Sequence, residues 1–125
     1  MHPIHIVALL AVMQFFYFGA KVGRARAQYG IKAPAVTGHE MFERAYRVQM
    51  NTLEQLVGFL PALLIAGIYW PQAVVAPVGV LYLLGRALYR HRYMQDPARR
   101  GPGFMLTVLA TGILLVAGLV GAVVH

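Results

Sequence analysis

The sequence predicts an all-α integral membrane protein built as a bundle of four transmembrane helices. Three observations predict it. Of the 125 residues, 59% are hydrophobic and 12% charged, with a mean hydropathy of +0.62, whereas soluble domains carry about 25% charged residues. Apolar stretches recur four times at roughly the 20 residues that a bilayer requires, which leaves almost nothing for a separate soluble domain. All eleven Lys and Arg fall in two windows, from Lys21 to Arg47 and from Arg86 to Arg100. Four alternating spans place both windows on one side, which the positive-inside rule assigns to the cytoplasm, with both termini outside in a periplasm or lumen. One membrane domain over residues 1–125 is expected, with helices at about 3–23, 40–69, 73–94 and 104–124.

On this reading the net charge of +7 reflects topology more than a nucleic-acid partner. With no cysteine, the chain has no disulfide framework, thiolate metal site or cysteine nucleophile. Thiol chemistry would need a thiol brought by a substrate.

The first span is apolar apart from His5 and Gln14, and its positive charges, Lys21 and Arg24, follow it. A cleaved signal peptide carries its charge before the apolar run, so a retained span is expected. His2 and His5 have no carboxylate near them, and His91 lies among arginines that repel a cation, so no metal site is expected. Gly23, Gly30, Pro34 and Gly38 mark residues 24–39 as a loop, with Thr37 or His39 as cap of the next helix.

The second helix, about 45 Å long at 1.5 Å per residue, exceeds a hydrocarbon core of about 30 Å. Its first third therefore protrudes or lies against headgroups. At about 100° per residue, Glu43, Arg47, Asn51 and Glu54 share one narrow sector, with Arg44 at its edge. Isolated charges at a bilayer centre cost roughly 2.5–3.5 kcal/mol, so this stripe must face protein or a wet cavity. An internal ladder with Glu43 and Arg47 at i,i+4 is the alternative, though it leaves Asn51 and the depth of Glu54 unexplained. Pro61 is expected to bend the helix beneath the stripe.

Trp70, Pro71 and Gln72 make an uncharged external turn. In the third helix Tyr82, Arg86, Tyr89 and Tyr93 share a face, flanked by Arg90. Such tyrosines form either an interfacial belt or, with the stripe of the second helix, one wall of a polar cavity. The segment DPARRGPG, residues 96–103, breaks the helix and presents Arg99 and Arg100. The fourth helix is uncharged and carries Gly112, Gly118 and Gly121, which suit either close helix packing or a lipid-facing role.

This inventory lacks a nucleophile with a partner base, and its glycines match no phosphate-binding loop. It suits a small polyanion that bears carboxylates and an amine. Arginine forks bind carboxylates bidentately, Glu54 accepts an ammonium, and a thiol beside Arg100 is favoured as thiolate.

At these residues the chain resembles the MAPEG family of membrane-associated glutathione enzymes. The resemblance rests on Glu43-Arg44 followed by Asn51 and Glu54, on the run GRALYRHRY over residues 85–93, and on the basic pair before the fourth helix. It implies a homotrimer of four-helix protomers with glutathione, the co-substrate, bound between neighbouring subunits on the cytoplasmic side. Arg26, Arg47, Gln49, Asn51, Glu54, Tyr89 and Tyr93 look like the family's glutathione-contacting residues, and Arg100 like the arginine that activates the thiol. Ala27 stands where the leukotriene synthase branch has a second arginine, and Gln55 where it has a tyrosine. Those departures point to a general transferase or peroxidase acting on lipophilic electrophiles or lipid hydroperoxides, in a bacterial inner membrane or an endoplasmic reticulum. Two other readings are a non-catalytic lipid-binding scaffold of the same fold and a four-span transporter that uses Glu54.

Overall fold

The computed structural model describes residues 1–125 and contains four long helices: α1 (Pro3–Tyr29), α2 (Glu40–Tyr69), α3 (Gln72–Gln95) and α4 (Gly101–Val124). All four are long and apolar enough to cross a membrane, and there is no strand. The chain is thus an all-α, multi-pass integral membrane protein. A single 3-10 turn, Pro97–Arg99, precedes α4.

The first helix runs further than the sequence reading allowed. Residues 24–29, expected as loop, complete α1, and Gly30 ends it in the left-handed conformation at φ 67°. Gly23 is open on one side, where an added Cβ would meet nothing within 4 Å. One interior glycine costs a helix only about 1 kcal/mol, and the Arg-Ala-Arg-Ala-Gln that follows favours helix. Glycine at the C-terminal position then supplies the turn. His39 caps α2, its Nδ1 accepting from the N–H of Met41 at 3.1 Å, and its ring stacks on Tyr29 at 3.7 Å. Pro61 lies within α2, which continues past it. The fourth helix likewise begins three residues before the expected 104, with Pro102 in its first turn where a missing N–H costs nothing.

α2 is packed against all three other helices, and α3 against α4 along most of its length. Phe59 and Tyr82 stack at 3.7 Å in the middle of the core, among Val7, Leu63 and Leu114. Lipid tails are as apolar as these side chains, so close packing and interhelical hydrogen bonds hold the bundle together more than the hydrophobic effect does. Small residues supply the packing. A Cβ on Gly85 would lie 2.9 Å from the Thr107 backbone nitrogen, and one on Gly103 would lie 2.5 Å from Tyr89 Cα. Gly118 and Gly121 pack against α2, while Gly112 opens outward. Gln14, a half-buried polar residue of the first span, donates to the Leu83 carbonyl at 3.0 Å.

Both basic windows meet at one end. Arg44 donates to the carbonyls of Met94 and Gln95 at 2.9 and 3.1 Å, which ties the start of α2 to the end of α3. The chain termini lie at the opposite end, where Ile4 bonds Gln72 and the Tyr69 and His125 rings stack.

Candidate active site

At the basic end α2, α3, the 3-10 turn and the start of α4 enclose an open cleft of about 720 Å³. Arg47 and Asn51 of α2 reach it because they are one turn apart on the same face. Tyr89 and Tyr93 of α3 stand opposite, also one turn apart, with rings 5.4 Å from each other. Arg100, Gly101 and Phe104 close the third side.

Arg100 is exposed, and its Nη1 donates to the Pro97 carbonyl at 2.9 Å, which leaves most of the guanidinium free. It sits at the N-cap of α4, and no side chain caps that helix. The first-turn N–H groups at Gly101 therefore add positive potential beside Arg100. Arg47 is half exposed and pairs with Glu54 at 3.5 Å, seven residues on.

Not every expected site residue comes to the cleft. Glu54 approaches only through Arg47. Arg26 is turned to its own loop, donating to Ala35 and Ile31 carbonyls at 2.8 and 3.5 Å with its guanidinium over the Phe42 ring. Gln49 packs against Gly19 of α1, on the far side of α2 from Asn51. The alternative Glu43–Arg47 ladder is absent: Glu43 accepts from Gly38 N–H at 3.2 Å, and Arg44 pairs with Glu40.

Arg86 was placed on the tyrosine face by the sequence but not counted as a site residue, and it lies directly behind the lining of the cleft, in contact with Asn51 and Tyr89. Its side chain is fully buried. Nη1 donates to Asn51 Oδ1 at 2.8 Å and Thr52 Oγ1 at 3.2 Å, and Nε donates to Thr107 Oγ1 at 3.1 Å. The guanidinium carbon lies 4.3 Å from the Tyr89 ring centroid, within cation–π range. One arginine thus fixes both Asn51 and Tyr89, from opposite walls. The signal was present: an arginine inside an apolar span needs partners, Thr107 is a polar residue in an otherwise apolar stretch, and Thr52 adjoins Asn51 of the polar stripe. Gly103 was also missed. Its lack of a Cβ lets α4 approach the backbone of Tyr89, and no side-chain chemistry advertises that.

The arrangement gathers two arginines, an amide and two phenols around one opening, with no acid–base pair and no nucleophile. It can hold an anionic ligand and stabilise negative charge that develops on it.

Comparison with known proteins agrees with this chemistry. The sequence model of the MAPEG family matches residues 4–120. An uncharacterized protein of Synechocystis is 46% identical over 91% of this chain and 83% of its own length. Human microsomal glutathione S-transferase 2 is 39% identical over 93% of this chain and 77% of its own. Leukotriene C4 synthase of Cavia porcellus is 34% identical over 95% and 79%. By its match along nearly the whole sequence, its four spanning helices and these relatives, the chain belongs to the MAPEG family.

Proposed function

We propose that the protein is a membrane-bound glutathione transferase whose cleft holds glutathione at the basic end of the bundle. The observation that carries this reading is the convergence of Arg47, Asn51, Tyr89, Tyr93 and Arg100 on one opening, in a relative of glutathione S-transferases. Arg47 pairs with a carboxylate of the tripeptide, Asn51 and the phenols hydrogen-bond its amides, and Glu54 takes its ammonium.

Arg100 and the uncapped start of α4 favour the thiolate over the thiol. The thiolate sulfur forms a bond to the electrophilic carbon, the leaving group departs with the bonding electrons, and the thiol proton passes to solvent. Lipid hydroperoxides are the second substrate class of the same reading: the thiolate attacks the terminal oxygen, the O–O bond breaks with the alcohol as leaving group, and a second glutathione converts the resulting sulfenic acid to the disulfide and water. Both classes partition into lipid, and an apolar trough along Met105, Leu109 and Val116 of α4 begins one residue beyond Phe104 of the cleft lining. On this reading the cleft opens to the cytoplasm, by the positive-inside rule.

The site is completed by assembly. Arg47 and Glu54 are more than half exposed on a span that also exposes Val57 at 71%. Charges at such a surface are costly against lipid. A homotrimer in which this face of α2 meets a neighbour removes that cost, and Arg26 and Gln49, which cannot share a ligand with Asn51 inside one protomer, then serve a neighbouring site.

Calorimetric titration of glutathione into the detergent-solubilised protein tests the reading. Arg47→Ala and Asn51→Ala should each weaken binding roughly tenfold or more, the worth of a charge-assisted hydrogen bond. Undiminished affinity in both variants, or no binding by the wild type, would refute it.

A further inference from the structure

On the α1 side of the basic end lies a second hollow, of about 270 Å³, lined by Lys21, Arg24, Gln28 and Arg90 together with Ala45 and Met94. It does not share a residue with the cleft. Three cations converge there, and the chain holds no anion for them. It has four side-chain carboxylates, and each is engaged elsewhere: Glu40 with Arg44, Glu54 with Arg47, Glu43 with the Gly38 N–H, and Asp96 with the Ala98 N–H. Lys21 and Arg90 instead lie over the aromatic rings of Tyr17 and Phe18, at 5.2 and 5.8 Å. Like charges gathered in one concavity repel, and an anion from outside the chain relieves that repulsion.

The position of the hollow says which anion. Met13, Tyr17, Lys21, Arg24 and Gln28 follow one another at spacings of four, four, three and four residues, so they form one face of α1. The deeper part of that face is an apolar ridge, with Met13 63% and Tyr17 55% exposed, and its last turns bear the cations. A ligand that is anionic at its head and apolar along its length matches both parts at once.

We propose that this hollow is the headgroup site of an anionic phospholipid, whose phosphate sits among Lys21, Arg24 and Arg90 and whose acyl chain lies along Met13 and Tyr17. It is separate from the glutathione reading and stands or falls without it. Native mass spectrometry after incubation with equal amounts of phosphatidylglycerol and phosphatidylcholine tests it. The wild type should retain phosphatidylglycerol with a preference of roughly tenfold or more, given three basic side chains at the headgroup. Lys21→Gln/Arg24→Gln/Arg90→Gln should abolish the preference, while Arg99→Gln, outside the hollow, should keep it. If the triple variant does not fold by circular dichroism, Arg90→Gln alone should reduce the preference several-fold. Equal retention of the two lipids by the wild type, or an unchanged preference in the hollow variants, would overturn the proposal. An excess of glycerol 3-phosphate should not displace the lipid, and displacement would overturn it in favour of a soluble phosphate.

Discussion

The two ends of this bundle treat polar groups in opposite ways. At the end that holds the termini, polar groups close on protein partners: Trp70 Nε1 donates to the Ala117 carbonyl at 2.7 Å, and the Ile4 N–H to Gln72 Oε1 at 3.3 Å. Small residues finish the seal there, with Gly67 against Ile4 and Gly121 against Tyr69. At the basic end one arginine, Arg86, is buried with Nε and Nη1 bonded and Nη2 left without a partner, while Arg47 and Arg100 are presented to an open cleft. In a bilayer, where apolar burial discriminates little between packed and separated helices, the closed end and the Arg86 network hold the geometry. The open end is then free to carry ligand chemistry.

The sharpest way to break this contrast is at Arg86. Replacing it with Met removes three hydrogen bonds and leaves Asn51 Oδ1 without its donor, whereas Thr52 and Thr107 keep their bonds to the carbonyls of Val48 and Gly103. A loss of about 2–4 kcal/mol in SDS-driven unfolding is expected, together with weakened glutathione binding because Asn51 and Tyr89 lose their common support. Next comes Gly103→Ala, which drives a methyl into the Tyr89 backbone and should cost about 1–3 kcal/mol by overpacking, with the cleft disturbed. Smallest is Trp70→Phe at the closed end, where loss of one hydrogen bond to Ala117 should cost about 1 kcal/mol. That variant should leave glutathione affinity unchanged. If it perturbed the ligand as much as Arg86→Met does, the two ends would not be separable.

The fold was legible because hydropathy and charge both act along the chain. Length, four apolar runs and the two basic windows are local properties, and the membrane leaves helices as the only way for such runs to satisfy their backbone. The end of α1 was misread because Gly23 looks like a loop marker, and only the open space beside it shows that the helix passes through. The site was half legible. Helical spacing put Arg47 with Asn51 and Tyr89 with Tyr93, and the structure brings those two pairs to one cleft. Spacing could not tell that Glu43 would turn to Gly38, that Arg26 would brace the residue 30–39 loop, or that Gln49 would pack on Gly19. Those outcomes depend on which neighbour each face meets. Arg86 illustrates the same limit, since its three hydrogen-bond partners come from two other helices.

The most direct test of the account is the absorbance of the glutathione thiolate on mixing glutathione with the solubilised protein, followed by stopped flow for the wild type and for Arg100→Ala. The account predicts a thiolate signal in the wild type that is lost in the variant while glutathione still binds, with turnover of a lipophilic electrophile falling by roughly 10²–10³ as when one charge-stabilising donor is removed. An equal thiolate signal in Arg100→Ala at equal occupancy would contradict it, and would move the source of activation from the start of α4 to the Tyr89–Tyr93 wall of the cleft.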